Sequence, residues 1–180
     1  MFKPLTKTHI SQGTIMQSIS SISELEALYG QPSDAAIRKV SSRLTPLYRR
    51  WIMALRFCVL TSVGPDGTDG SPRGEDGPVV HELNPQTFAR PDWRGNNRLD
   101  SLRNIVSDGR VSLMFMVPGS TTIVRVNGRA VLSADADLRA RFERRGKLPA
   151  TVIVITLQEV YAQCAFPQGR PQEPYRKSVC

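Results

Sequence analysis

A basic, glycine-containing segment, PDWRGNNRLDSL, precedes the start of a predicted helix at residues 91–102. Backbone N–H groups at a helix start lack partners within the helix, and the helix dipole makes that end positive, so it favours a phosphate or carboxylate. Arg94 and Arg98 would add charge and planar donor forks. The same letters also fit an ordinary helix start, with Asn97 as the N-cap and Asp100 three residues on. Taken alone, the segment favours the plain helix start and leaves an anion site open.

Other chemical patterns in the chain are weak. Gly64, Gly67 and Gly70 do not have the spacing of a phosphate-binding loop, and hairpin turns explain them better. His9 and His81 are the only histidines, and neither lies beside a nucleophile motif, which disfavours hydrolase chemistry. The sequence therefore names no catalytic acid, base or nucleophile.

The three cysteines, Cys58, Cys164 and Cys180, are far apart in the sequence. Their odd number and wide spacing fit neither a disulfide framework nor a Cys-x-x-Cys metal site, so no metal is predicted. Cys58 lies in an apolar, strand-like run and is expected in the core. The first residues carry no apolar stretch behind their charges, so a secretory signal is not expected and a cytoplasmic location is the default.

The composition predicts a globular domain, and its positive net charge allows an anionic partner without specifying one. Of the 180 residues, 40% are hydrophobic and 22% charged, and no apolar run approaches the length of a membrane helix, so a membrane span is not expected. The net charge of +8 is compatible with nucleic acid, an anionic cofactor or an acidic partner. Because the arginines are scattered and no aromatic-rich motif accompanies them, DNA or RNA binding is the minority hypothesis.

The order of helical and β-type patterns predicts an α+β fold centred on an antiparallel barrel. Helices are expected near residues 22–29, 34–44, from Pro46 to about 55, from Asn97 to about 108, and over 135–145. Strands are expected over 57–63, 68–72, 79–83, 87–89, 111–117, 122–126, 129–132 and 151–163. Short strands with tight turns favour a barrel over a doubly wound parallel sheet, which would need long crossovers.

Four segments of the chain carry a recognisable pattern: residues 24–33 (ELEALYGQPS), 57–74 with the motif SPRG, 91–105 with the motif NNR, and 125–130 (RVNGRA). In this order they resemble the pyridoxamine-phosphate-oxidase-like flavoproteins of the FMN-binding split-barrel fold. The resemblance covers roughly residues 21–164, and the ordered co-occurrence is more specific than any single motif. The sequence departs from the resembled subgroup after Cys164, where Pro167 and Pro171 stand in place of a basic helical end.

The resemblance implies FMN held at a homodimer interface, with its phosphate bound by basic residues of the barrel and the helix start. The positions that match, or share the loop, are the predicted cofactor-binding residues: Ser71, Arg73, Asp92, Trp93, Arg94, Asn96, Asn97 and Arg98. The alternative to a phosphate-binding role for Arg73 is that it is a charged residue on an edge strand or forms an ion pair with Glu75 or Asp76. In this context residues 91–102 become a binding segment, with a cap at Asn97 directing N–H groups at the phosphate beside Arg98.

The implied organisation is a flexible segment over 1–20, one split-barrel domain with a helical lead-in over 21–166, and a loosely ordered tail over 167–180. The implied function is a flavin-dependent oxidoreductase acting on a small molecule, since the flavin carries the redox chemistry. A flavin- or ligand-binding protein without turnover is the alternative. The substrate, the electron donor and the choice between FMN and a related cofactor stay open.

Overall fold

The computed structural model describes residues 7–10 and 14–164, with side chains described from Ser18 onward. The chain divides into two compact units after Arg38. That division lies later than the predicted domain start at residue 21, and the organisation over 1–20 and 21–166 stays a prediction. The predicted tail over 167–180 and the departure at Pro167 and Pro171 lie outside the described residues.

The first unit contains a small hairpin and two short helices. Strands β1 (Lys7–Ile10) and β2 (Thr14–Gln17) pair antiparallel within the segment expected to be flexible. Helix α1 (Ile22–Tyr29) starts where the Ser21 hydroxyl accepts the Glu24 N–H at 3.2 Å. Helix α2 covers only Asp34–Arg38, so the helix expected over 34–44 was predicted too long.

As far as residue 164, the last that the structure describes, the second unit is a seven-stranded antiparallel sheet with three helices. The order across the sheet is β4–β3–β7–β8–β9–β6–β5, and within the described residues it does not close. Its elements are α3 (Pro46–Ala54), β3 (Phe57–Gly64), β4 (Gly67–Gly74), β5 (His81–Asn84), β6 (Thr87–Asp92), α4 (Asp100–Ser107), β7 (Arg110–Met116), β8 (Thr122–Ser133), α5 (Ala136–Ala140) and β9 (Thr151–Cys164).

The core lies on one face of the sheet, where alternate residues of the strands are buried. Phe88, Phe115, Leu60 and Ile153 are fully enclosed, and α3 adds Ile52 to the same cluster. Burying such side chains is the main source of stability for a domain of this size. No helix in the described part of the chain is both long enough and apolar enough to cross a membrane.

Strand β8 differs from its predicted form. The sequence indicated two strands broken at Asn127 and Gly128, whereas the structure has one strand with a β-bulge there. A Cβ at residue 128 would overlap the carbonyl oxygen of Thr156 on β9. Gly128 therefore marks a close approach of the β8 and β9 backbones inside the sheet. In the sequence alone, a glycine at such a bulge cannot be distinguished from a glycine in a turn.

Helix α5 is also shorter than the helix expected over 135–145, because it ends at Ala140.

Candidate functional site

A cleft of about 570 Å³ opens between β4, the loop that follows β6, and the start of α4. All eight residues predicted to bind a cofactor line it: Ser71, Arg73, Asp92, Trp93, Arg94, Asn96, Asn97 and Arg98. Its volume falls within the range of small-molecule and cofactor sites, about 300–1,000 Å³. The structure thus brings two segments about twenty residues apart in sequence to one place.

Strand register directs Arg73 into this cleft. Ser71 and Arg73 pair with Leu60 and Cys58 of β3, both fully buried, so the two residues share the inner face of the sheet with the core. A period of two along a strand makes this shared orientation unavoidable. The Arg73 side chain is consequently only 18% exposed.

The Arg73 guanidinium is fixed from two sides. One terminal nitrogen, Nη1, lies 3.1 Å from Asp92 Oδ1, and the other, Nη2, donates to Ser101 Oγ at 3.0 Å. Ser101 in turn donates to Asp69 of β4. The predicted alternative partners, Glu75 and Asp76, are not used, and Arg73 Nε is buried without a hydrogen-bond partner among the described residues. Because its fork is already oriented, little side-chain entropy is left to lose when an anion binds.

Asp92 is a counter-ion in this arrangement. It is the last residue of β6, is largely buried, and faces Arg90 Nη1 at 3.6 Å as well as Arg73. A carboxylate held by two arginines stabilises their charges at the floor of the cleft. The geometry therefore gives Asp92 a role in holding Arg73, whereas the sequence suggested that it borders the ligand.

The helix start differs from the prediction. Helix α4 begins at Asp100 rather than at Asn97, and its N-cap, Leu99, provides no side-chain hydrogen bond. Asn97 and Leu99 have φ values of 59° and 62°, in the left-handed region that a helix cannot include. Asn96 Oδ1 instead accepts the Arg98 N–H at 3.2 Å, which closes a turn ahead of the helix. The Asn97 cap was wrong because the turn at Asn96 competes with it.

The missing cap leaves a helix end that still needs partners. The first-turn residues Asp100, Ser101 and Leu102 all line the cleft, and no side chain caps this end. Unpaired N–H groups at such a start favour a negative ligand. The start of α4 therefore offers N–H groups to an anion without a cap from Leu99, while the acidic Asp100 lies in the same turn.

The remaining cations of the cleft are open to solvent. Arg98 Nε lies 3.0 Å from Asp100 Oδ2, but its side chain is 76% exposed, so this pair contributes little stability. Arg94 makes no ion pair in the described part of the chain. Both arginines can therefore turn toward an anion at small cost.

Ten further residues line the cleft and were not among those predicted to bind a cofactor: Asp69, Gly70, Pro72, Gly95, Leu99, Asp100, Ser101, Leu102, Ala150 and Thr151. Asp69 carried a usable signal, because it lies two and four residues before Ser71 and Arg73 on one strand face. Thr151 had none, since it reaches the cleft only by pairing with Asp92 across β6 and β9. Non-local sheet pairing of this kind leaves no local pattern.

Within the described residues no cluster of three potential metal ligands exists.

Cys58 lies opposite Arg73 on the neighbouring strand β3 and is confirmed as a core residue, with no exposed surface. Burial raises the pKa of its thiol to about 11, although Arg90 and Arg73 act in the opposite direction. We expect iodoacetamide at about pH 8 to leave Cys58 unmodified in the native protein and to modify it after unfolding in guanidinium, because the thiolate is the reactive form. Peptide mass spectrometry measures this, and rapid native modification would contradict the burial.

A family model described as pyridoxamine 5′-phosphate oxidase matches residues 44–164 of the chain. Among solved structures, HupZ from Group A Streptococcus has a TM-score of 0.56 and 14% identity, covering 68% of this chain and 95% of that one. A candidate pyridoxamine 5′-phosphate oxidase from Lactobacillus delbrueckii has a TM-score of 0.54 and 20% identity, covering 67% and 95%. These structures confirm the predicted split-barrel fold, and no curated protein matches the chain.

Proposed function

Because the chain belongs to the pyridoxamine 5′-phosphate oxidase family, we propose that it binds FMN in the cleft between β4 and α4. We further propose that it acts as a flavin-dependent oxidoreductase on a small molecule. The family resemblance indicates FMN as the cofactor, and the cleft contains residues that fit it. FMN, when bound, exchanges electrons with the substrate, while the chain binds and orients both.

One observation carries this proposal: the predicted cofactor-binding residues from two separate segments line a single cleft. The FMN phosphate is dianionic, and Arg73, Arg94 and Arg98 line the cleft beside the start of α4, together with the acidic residues Asp69, Asp92 and Asp100. Ser71 and Trp93 lie along the remaining wall, where a flat ring would need an apolar surface with few polar donors.

The proposal includes a homodimer, and the outer face of the sheet offers a surface for it. Phe57, Met114 and Met116 are 41%, 38% and 38% exposed. Register places them on one face, because Val59 of β3 pairs with Met114 and alternate residues share a face. Exposed apolar side chains on one sheet face are typical of a subunit interface, and here they lie beside Arg125, which pairs with Met114. Sedimentation equilibrium measures the assembly state, and a monomer at micromolar concentration would contradict this part of the proposal.

Arg98→Ala is expected to raise the FMN dissociation constant about threefold to tenfold, since it removes one exposed cation from the phosphate. Arg103→Ala is the matched control: it removes the same charge from an exposed position of α4 that does not line the cleft. Titration monitored by flavin fluorescence measures both variants. Equal affinities for the two would contradict the assignment of Arg98 to the phosphate.

Turnover is tested separately from binding. Reduction of bound FMN by NADH or NADPH, followed by its reoxidation with candidate acceptors, is the expected behaviour of an oxidoreductase. Flavin that binds tightly but is reduced by neither nucleotide, and by no other donor tried, would favour the binding protein without turnover.

A further inference from the structure

Glu75 is a buried carboxylate beside the cleft that contacts three side chains from two other segments of the chain. It directly follows β4, and its side chain is only 4% exposed. Trp93 donates its indole N–H to Glu75 Oε1 at 3.3 Å, and Arg144 Nη1 lies 2.8 Å from Oε2. Arg90 Nη2 lies at 4.0 Å. A buried acid with several cationic and N–H partners is held rigidly, because moving any partner leaves its charge uncompensated.

Arg144 contacts Trp93 as well as Glu75. Its guanidinium carbon lies 5.6 Å from the centre of the indole ring, within the range of a cation–π contact. The Arg144 side chain is 41% exposed. Arg144 belongs to the segment between α5 and β9, where its backbone forms an antiparallel bridge with that of Lys147. The indole is therefore held at its edge by Glu75 and on one face by Arg144.

The segment that carries Arg144 is also joined to the cleft loop through the backbone. Ala150 N–H donates to the Asp92 carbonyl at 2.9 Å, and both Ala150 and Trp93 line the cleft. One face of the indole is occupied by a cation from outside the cleft. Only the other face of the Trp93 indole and its free edges can therefore meet a ligand. The contacts to Glu75 and Arg144 determine which face and which edges these are.

From these contacts we infer that Glu75 and Arg144 are positioning residues that fix the Trp93 indole as a wall of the cleft. Resting on the proposed function, this inference makes them determinants of FMN affinity although neither lines the cleft. Arg144 acts through the ring and Glu75 through the indole N–H. Neither residue was among those predicted from the sequence to bind the cofactor.

The test uses the Trp51→Phe protein, which leaves Trp93 as the single tryptophan of the chain. Without FMN, acrylamide quenching of Trp93 emission reports how firmly the ring is held. Arg144→Met and Glu75→Gln are expected to raise the quenching constant and to raise the FMN dissociation constant about threefold to tenfold. Arg144→Lys, which keeps a cation over the ring, is expected to restore part of both.

Arg145→Met is the control, since Arg145 is an exposed neighbour that makes no ion pair within the described residues. It is expected to change neither readout. Unchanged quenching in both Arg144→Met and Glu75→Gln would overturn the inference, as would a lower melting temperature with no change in quenching. Because the quenching readout needs no flavin, a protein that fails to bind FMN at all would refute the proposed function and leave the positioning of Trp93 to be decided by quenching alone.

Discussion

Arg73→Ala is expected to raise the FMN dissociation constant by about tenfold to a hundredfold, which corresponds to ~1.5–3 kcal/mol. The effect exceeds that of Arg98→Ala because Arg73 is mostly buried and its fork is held by Asp92 and Ser101. A preoriented, partly desolvated guanidinium interacts more strongly with a phosphate than a mobile exposed one does. Isothermal titration calorimetry with FMN measures the loss.

The same substitution also affects stability, so two readouts are needed. Without Arg73, Asp92 retains only the more distant Arg90, and Ser101 loses one partner. We expect the free energy of unfolding to fall by about 1–3 kcal/mol. Arg73→Lys keeps the charge without the fork and is expected to be intermediate in both properties. Unchanged FMN affinity in a folded Arg73→Ala protein would exclude Arg73 from the phosphate site.

Gly128→Ala is expected to lower the free energy of unfolding by about 2–3 kcal/mol. The added Cβ would overlap the Thr156 carbonyl oxygen on β9, and that atom belongs to the backbone of the longest strand of the sheet. Relieving the overlap would separate β8 from β9 at the bulge. Denaturation in urea, followed by circular dichroism, measures the change.

Gly70→Ala is the matched control for that substitution. Gly70 also lies within a strand, but a Cβ added there would have no atom within 4 Å. Its backbone also has no positive φ, so the expected change is within about 0.5 kcal/mol. Equal destabilisation by the two alanines would show that loss of glycine flexibility, and not close approach of β8 to β9, limits residue 128.

The sequence was sufficient for features with local signals. The hairpin of β3 and β4 was predicted from a β-rich run followed by GPDG, and helix α3 from the Thr45 cap with Pro46 next to it; both are confirmed. The family resemblance predicted that SPRG lies close to residues 91–102 in space. The two segments line one cleft, which agrees with that prediction. Local chemistry and ordered motifs were therefore sufficient to predict residues that line one cleft.

Features that depend on competing or distant contacts could not be found in this way. The start of α4 shifted from Asn97 to Asp100 because two left-handed residues and the turn at Asn96 replace the expected cap. The alternative partners of Arg73, Glu75 and Asp76, are its neighbours in sequence, whereas Asp92 and Ser101, which its side chain contacts, lie 19 and 28 residues away. Side-chain pairing between separate elements depends on how the sheet assembles, which no window of sequence records.

Titration of the purified, flavin-free protein with FMN tests the central claim most directly. We expect a saturable change in the flavin spectrum and a higher melting temperature on adding FMN, with both signals weakened in Arg73→Ala. A protein that retains no flavin absorbance after removal of free FMN, and that shows no thermal shift with excess FMN, would contradict the proposal that the cleft binds FMN.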